Sequence, residues 1–453
     1  MLEAILLILF TAIFAYIAWW KLDWALTLCV VFLPVYLIRF EIGFLPMTIL
    51  EVMILVIFVV WLVKIFGRGV PLGSARDFQK ASTTRLKWQE RCKGIIWPWK
   101  WLTLAFVIVG GIAVFVSPDL RAAAGLWKAY ILEPVILFVV FVNVIETKEQ
   151  LLQIFWGLGA SVVVIGFVAM LQYLNIVDIP AHYGLETPRR ATSVFPFPTA
   201  VGKFVGPIVA FFIGFFVVRG LRTARSLWAL VCNNIFVSGV ILFGLMGLLF
   251  SVSRGALIGV VAALLFSSFF SKRKMWIWFG IGIVIIVALA IPQTRDNITG
   301  VFSATDVSTD VRLVMWKGAW RIIQDNPILG TGLASFPIVY DDYKEASHTE
   351  YFPNPDQLYL TLWIEMGIAG LIVFGWIIIQ FFISARHLMR NYRSYAVGLM
   401  AAVVAILVYG FLDTQYFKND LAVQFWVLLG ITVVLQRWAI TRVKTPAILQ
   451  KDK

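Results

Sequence analysis

Asn354-Pro355-Asp356-Gln357-Leu358-Tyr359-Leu360 marks the point where a long polar stretch gives way to an apolar run at 357–384. Upstream, 293–356 is polar. Before it and after 384, apolar runs recur near 2–20, 24–38, 47–66, 100–117, 127–145, 151–174, 200–218, 227–250, 255–271, 275–292, 395–412 and 421–437. A helix needs roughly 17–25 apolar residues to cross the hydrocarbon core of a bilayer. The chain has 453 residues, 61% hydrophobic and 14% charged, whereas soluble domains carry about 45–50% apolar and about 25% charged residues. These observations predict an all-α polytopic membrane protein, a single integral membrane domain over 1–453 with about 12–13 transmembrane helices. A long structured extracytoplasmic loop, 293–356, is expected between the tenth and eleventh candidate helices.

Basic residues set the expected orientation. Arg68, Arg76, Lys80, Arg85, Lys87, Arg91, Lys93 and Lys100 crowd one short connection, and Arg219, Arg222 and Arg225 another. Lys272-Arg273-Lys274, Arg386/Arg390/Arg393 and Arg437/Arg442/Lys444 complete the set. Counting helices places all of these on one side, which the positive-inside rule makes cytoplasmic. The loops 118–126, 175–199, 251–254, 293–356 and 413–420 then face outward. The same rule explains the net charge of +13, so no nucleic-acid partner is expected. Cys29, Cys92 and Cys232 have no paired spacing, which implies neither a disulfide framework nor a zinc site. Met1-Leu2-Glu3 lacks the basic start of a cleaved signal, so the first run is expected to stay as a helix.

In the long loop Arg295, Arg312, Lys317, Arg321 and Lys344 are outnumbered by acids. Leu313, Trp316, Trp320 and Ile323 repeat at helical spacing after Thr309 and Asp310, which are of the type that caps a helix. The pattern predicts an amphipathic helix near 311–324, lying at the membrane surface. Pro327, Gly330, Gly332 and Pro337 then predict a structured turn.

An ionisable residue at membrane depth is costly and is a functional candidate by default. Arg189 and Arg190 stand in Thr187-Pro188-Arg189-Arg190-Ala191-Thr192-Ser193-Val194-Phe195-Pro196-Phe197-Pro198, whose prolines predict an ordered re-entrant loop rather than a helix. Arg254 stands in Ser251-Val252-Ser253-Arg254-Gly255-Ala256, between two apolar runs with no room for a true loop. Arg312 begins the amphipathic helix. Each has a bland alternative, an arginine reaching lipid headgroups. Arginine donates two parallel hydrogen bonds to phosphate oxygens, so several converging outward would suit a diphosphate-bearing lipid. For a general base the candidates are Asp356, at a helix mouth where the dipole also favours a carboxylate, and His348, upstream in the same loop. His182 and His387 offer less. Asp341 and Asp342 are a weak signal for a divalent cation, and no metal site or cofactor is expected. Phosphate-cradling glycine loops and nucleophile elbows are not apparent.

Four stretches resemble the O-antigen ligase and O-antigen polymerase superfamily of membrane glycosyltransferases. Arg190 to Ala200 is similar to the family's arginine–phenylalanine–proline loop, with Thr199 where asparagine is common. Ser253-Arg254-Gly255-Ala256 is similar to its Ser-Arg-Gly motif. Arg312 to Gly332, with Trp316, Ala319, Pro327 and Gly330, resembles its loop helix and glycine turn. Asp356-Gln357-Leu358-Tyr359-Leu360, followed by Glu365, Gly367 and Gly370, resembles the helix start after the loop. The resemblance spans roughly 100–435. It implies an inverting, metal-independent glycosyltransferase of GT-C type, without cofactor, in the bacterial cytoplasmic membrane. Its partners would be an undecaprenyl-diphosphate-linked glycan donor, a glycan or lipid acceptor and membrane lipids, met at an outward-facing site. A base deprotonates the acceptor hydroxyl while arginines hold the departing diphosphate. The family commonly reads His-Asn before Leu-Tyr-Leu, with histidine the presumed base; here Asp356 and Gln357 stand there. The resemblance implies Asp356 as base with His348 as substitute, and Arg190, Arg254, Arg312, Arg189, Gln357 and Tyr359 as substrate contacts. The competing readings are a flippase or transporter of a lipid-linked glycan, and an inactive homologue that only binds the carrier.

Overall fold

A computed structural model describes residues 2–42, 45–66, 94–186, 188–220, 234–275, 277–279, 307–345 and 352–444. The chain is mostly helical: α1 (Leu2–Trp20), α2 (Leu22–Val31), α3 (Ile49–Phe66), α4 (Lys100–Val116), α5 (Leu120–Val144), α6 (Lys148–Tyr173), α7 (Pro198–Arg219), α8 (Phe236–Phe250), α9 (Arg254–Ser268), α10 (Val307–Asp325), α11 (Leu358–Leu388), α12 (Arg393–Tyr409) and α13 (Asn419–Lys444). Among the described residues, α3, α5, α6, α7, α11 and the Asn419–Ile440 part of α13 are long and apolar enough to cross a membrane. The other apolar helices are shorter.

The run at 24–38 departs from expectation. Its helix α2 has 10 residues, about 15 Å of rise against a hydrocarbon core of about 30 Å. Pro34 opens a 3-10 turn, Leu33–Leu37, and an antiparallel hairpin follows, β1 (Arg39–Ile42) and β2 (Leu45–Thr48). The all-α expectation therefore has this one exception among the described residues. The run at 275–292 lies almost wholly outside them. Helix α10 begins at Val307, so Thr309 and Asp310, expected as caps, lie inside it.

Two prolines shape the bundle. Pro134 lies in α5 and Pro207 in α7, and each lacks the N–H that would bond the carbonyl four residues back. In an apolar bundle such a carbonyl needs another donor. Tyr130 O accepts from the Tyr416 hydroxyl at 2.7 Å, and Lys203 O accepts from Gln415 Nε2 at 2.6 Å. The backbone before Pro134 widens into a π turn, Lys128–Leu132. Both helices thus hold the 410–418 connection through side chains from consecutive positions. Ala210, Ala263, Ala401 and Ala405 form a small-residue seam that lets α7, α9 and α12 pack closely.

The bundle has two chemically distinct ends. One collects Lys64, Arg219, Arg393 and Arg437. There Lys64 Nζ donates to Ala18 O, Arg393 Nη2 to Phe270 O and Arg437 Nη1 to Val142 O. The other collects the hairpin, the 174–197 and 251–253 connections, the turn after α10 and the 410–418 connection. Side chains tie these segments together: Ser117 Oγ to Leu333 O, Asn419 Nδ2 to Glu51 Oε1, and Lys203 to Asp413.

Candidate functional site

Asp356 is placed by its neighbours in sequence and in space. Asn354 Oδ1 accepts from the Asp356 amide at 3.0 Å, closing an Asx turn around Pro355. Asp356 takes a positive φ of 45°, a conformation that aspartate and asparagine tolerate better than most residues. The same Asn354 oxygen accepts from Thr414 Oγ1 at 2.6 Å, and Trp316 Nε1 donates to Pro355 O at 3.0 Å. Downstream, Gln357 Oε1 caps α11 by accepting from Leu360 N at 2.8 Å, and Leu358 N donates to Gly410 O at 2.8 Å. Asp356 is therefore clamped between α10, α11 and the 410–418 connection.

Its charged surroundings are Asp413, Lys203 and Arg312. Burial pushes the Asp356 carboxyl up to about 6, reinforced by the Asp413 carboxylate and opposed by Lys203 and Arg312. Asp413 bonds Lys203 Nζ at 2.6 Å and is buried with it, an arrangement that compensates the cost of taking both charges out of water. Its Oδ1 also accepts from Thr414 N at 2.6 Å. A carboxyl that titrates near 6 is an anion at neutral pH yet basic enough to accept a proton, the balance that general-base catalysis favours.

The arginine corner joins this site through Tyr409. Helix α8 ends at Phe250, Val252 turns back with φ 52°, and α9 begins at Arg254. Ala191 N donates to Phe250 O at 2.8 Å and Arg190 Nε to Ser251 O at 3.5 Å, so the 188–197 loop lies against the Ser251–Arg254 corner. Arg190 Nη1 also pairs with Glu186 at 3.6 Å. Ser253 Oγ and the Tyr409 hydroxyl lie 3.3 Å apart, while Asp413, Arg312 and Asp356 act electrostatically on that hydroxyl. Close approach requires small residues here. A Cβ on Gly255 would meet the Tyr409 ring at 2.4 Å, and one on Gly202 would meet Ser253 Oγ at 2.0 Å.

Asp356 and Arg312 thus share one electrostatic environment; the Ser253 hydroxyl reaches it through Tyr409, and Arg190 bonds the carbonyl of the nearby Ser251. Arg189 bonds Asn175 Oδ1. Tyr359 donates its hydroxyl to Leu407 O at 2.7 Å, with its ring 4.6 Å from Phe411. His348 lies outside the described residues. Asp341 pairs with Lys344 at 2.8 Å. Lys203, Asp413 and Tyr409 are members that the reading of the sequence missed. Lys203 carried a usable signal, a cation inside the apolar run at 200–218.

The loop helix shows part of its expected face. The residues of α10 buried in a small separate core are Met315, Ala319, Ile322 and Ile323, packed with Phe336, Tyr340 and Ile364. Of the four residues read as the apolar stripe, Ile323 lies in this core and Trp316 packs against it, while Leu313 and Trp320 are the exposed pair.

That turn is interlocked with α11. Gly367 takes φ 67° within α11 and breaks its ladder. Ile368 N bonds Ile328 O at 3.2 Å, while Ile364 O accepts from Thr331 N at 2.7 Å. The two groups freed by the break are thus satisfied by the loop.

Residues 239–375 match the family described as O-antigen ligase. No curated protein matches the chain. The matched segment begins in α8, includes the Ser253-Arg254-Gly255 corner, α10 and Asp356, and ends beyond the Gly367 break. Over this segment the chain is similar to the O-antigen ligase family.

Proposed function

We propose that the protein is an inverting, metal-independent glycosyltransferase of GT-C type. In this reading it moves a glycan from an undecaprenyl-diphosphate carrier to an acceptor hydroxyl at the outer face of the bacterial cytoplasmic membrane. The family implies a glycosyltransferase-like reaction with a lipid-linked glycan and an acceptor. The observation that carries the finer reading is the clamped Asp356 carboxyl, bracketed by Asp413 on one hand and Lys203 and Arg312 on the other. Asp356 takes the proton of the acceptor hydroxyl as its oxygen attacks the anomeric carbon. The bond from that carbon to the carrier diphosphate breaks, and the electron pair leaves with the diphosphate. Arg190 and Arg254 meet the developing charge, aided by Arg312, and the proton on Asp356 passes to water. Gln357, whose Oε1 caps α11, and Tyr359, whose hydroxyl donates to Leu407 O, hold the start of α11, and Arg189 steadies the loop that presents Arg190. The basic connections of the sequence, at 67–100, 219–225, 272–274, 386–393 and 437–444, support placing the opposite end outside.

Arg190→Ala and Arg254→Ala test the leaving-group assignment. Each is expected to lower transfer by about 10²–10³-fold, the scale seen when a donor to developing charge is removed, at unchanged membrane level. Full transfer in both variants rejects it.

The pH profile tests the base. Transfer should rise with pH along an acid limb centred near about 6. Asp413→Asn removes the like charge beside Asp356, which lowers its pKa, so the limb should move to more acidic pH. A limb that stays in place in Asp413→Asn contradicts the coupling of the two carboxyls.

A further inference from the structure

The loop that carries Arg190 is held by one buried side chain, Gln172 in the last turn of α6. Gln172 is 3% exposed, and both ends of its amide engage the loop. Its Oε1 accepts from Thr192 N at 3.0 Å and from Ser193 N at 2.7 Å. Its Nε2 donates to Ser193 O at 3.2 Å and to Asp178 O at 3.3 Å. Two N–H groups face the oxygen and two carbonyls face the nitrogen, so a single orientation of the amide satisfies all four. The loop needs such a clamp. Ser193 takes φ 51°, an uncommon conformation for a residue with a side chain. Thr192 and Ser193 are buried, and their N–H groups without partners would each carry a desolvation cost.

Two further bonds converge on the same turn. Ser193 Oγ donates to Ile165 O at 2.8 Å, and Ala191 N donates to Phe250 O at 2.8 Å. Helices α6 and α8 are themselves in close backbone contact, since a Cβ on Gly166 would run into Phe243 O. Tyr173 stacks on Phe250 at 4.4 Å where the two helices end. The turn at 191–193 is thus fixed to a rigid two-helix corner, with Arg190 one residue before it. The guanidinium adds little hold of its own. Arg190 Nε reaches Ser251 O at 3.5 Å and Nη1 reaches Glu186 at 3.6 Å, both long for such contacts. Its position is therefore set by the backbone and, through the backbone, by Gln172.

We propose that Gln172 is a positioning residue for glycan transfer, clamping Thr192 and Ser193 so that Arg190 stands where the carrier diphosphate departs, an inference that rests on the leaving-group role given to Arg190 above. A clamp that acts through Arg190 matters most as charge develops on the leaving group. Its loss should lower kcat with little change in KM.

Two variants test it in the purified full-length protein. Gln172→Met keeps the length of the side chain and its fitness for a helix but removes the amide. Gln172→Glu keeps the shape and turns an oxygen toward Ser193 O and Asp178 O. Ser161→Ala, in the same helix, loses only a bond to Leu158 O and is the control. Hydrogen exchange of residues 189–195 is expected to quicken at least about tenfold in both Gln172 variants and to stay parental in Ser161→Ala. Transfer should fall by about 10–10²-fold, the scale of a misplacement of about 1 Å. Gln172→Met combined with Arg190→Ala should match Arg190→Ala alone within about twofold, because the clamp acts through Arg190. A merely structural role would multiply the two losses. Parental exchange in both variants, multiplied losses, or failure of both variants to accumulate in the membrane overturns the clamp. The two readings fail separately. Parental transfer by Arg190→Ala rejects the leaving-group role while the loop still exchanges faster in the Gln172 variants; parental exchange beside a slow Arg190→Ala rejects the clamp alone.

Discussion

Asp356→Asn is expected to lower glycan transfer by about 10²–10⁴-fold, the contribution typical of a positioned general base, while the protein accumulates normally in the membrane. The replacement is chosen to isolate the chemistry. Asparagine has the same shape, tolerates the positive φ of 45° and leaves the amide bond to Asn354 Oδ1 in place. It also removes a partly buried carboxyl from beside Asp413, so the folded protein should lose no stability. A reduced rate then reports on the carboxyl itself. Asp356→Glu should recover only part of the rate, because the longer side chain carries its carboxyl away from a position set by Asn354, Gln357 and Thr414. An Asp356→Asn protein with parental transfer would move the base elsewhere, with His348 the next candidate from the sequence. An inactive carrier-binding homologue predicts an unchanged cellular phenotype for Asp356→Ala as well.

Gly367→Ala is expected to have the largest structural effect of any single methyl group in the matched segment. A left-handed backbone conformation costs a residue with a side chain about 1–3 kcal/mol. The added Cβ would also sit 2.1 Å from Ile328 O and 2.7 Å from the Leu329 carbonyl carbon. Backbone must therefore move, and the contacts at risk are the bonds from Thr331 N to Ile364 O and from Ile368 N to Ile328 O. Gly330 faces the same junction, with φ 69° and Ile364 O at 2.3 Å from its would-be Cβ. Releasing this turn frees α10 and, through the Trp316–Pro355 bond, the segment that carries Asp356. The expected result is a lower melting temperature, faster proteolysis near Pro327–Ser335, and loss of transfer together. Gly375→Ala, on the same helix with open space around it, should be tolerated on all three measures. Equal behaviour of the two variants contradicts the interlock.

Periodicity and charge made the membrane character legible, along with the loop helix and the turn that follows it. Those signals are local: apolar run length, basic loops, and glycine and proline in a cluster. Arg190, Arg254, Arg312 and Asp356 stand out as candidates because charge beside apolar runs demands an explanation. The short α2 and the hairpin were not, since an apolar run cannot by itself distinguish a spanning helix from a buried turn and strand. Lys203 and Asp413 were missed for a different reason. Their pairing joins α7 to a connection far along the chain, and nothing in the neighbourhood of either residue specifies the other. The same holds for Gln415 and Tyr416, whose partners are carbonyls exposed by Pro207 and Pro134. Each proline announces an orphaned carbonyl in the sequence; only the fold shows which donor satisfies it. Trp316 and Ile323 were legible on the packed face of α10, whereas Met315, Ala319 and Ile322 were not, because their partners Phe336, Tyr340 and Ile364 lie downstream.

The most direct test of the central claim is donor turnover by the purified protein in proteoliposomes. Undecaprenyl-diphosphate-linked glycan and acceptor are supplied, and release of undecaprenyl diphosphate is followed against pH for the parent and for Asp356→Asn. Acceptor-dependent release is expected to rise through an acid limb at about 6 and to fall by about 10²–10⁴-fold in the variant. Release that is absent from the parent, or equal in the two proteins, contradicts it.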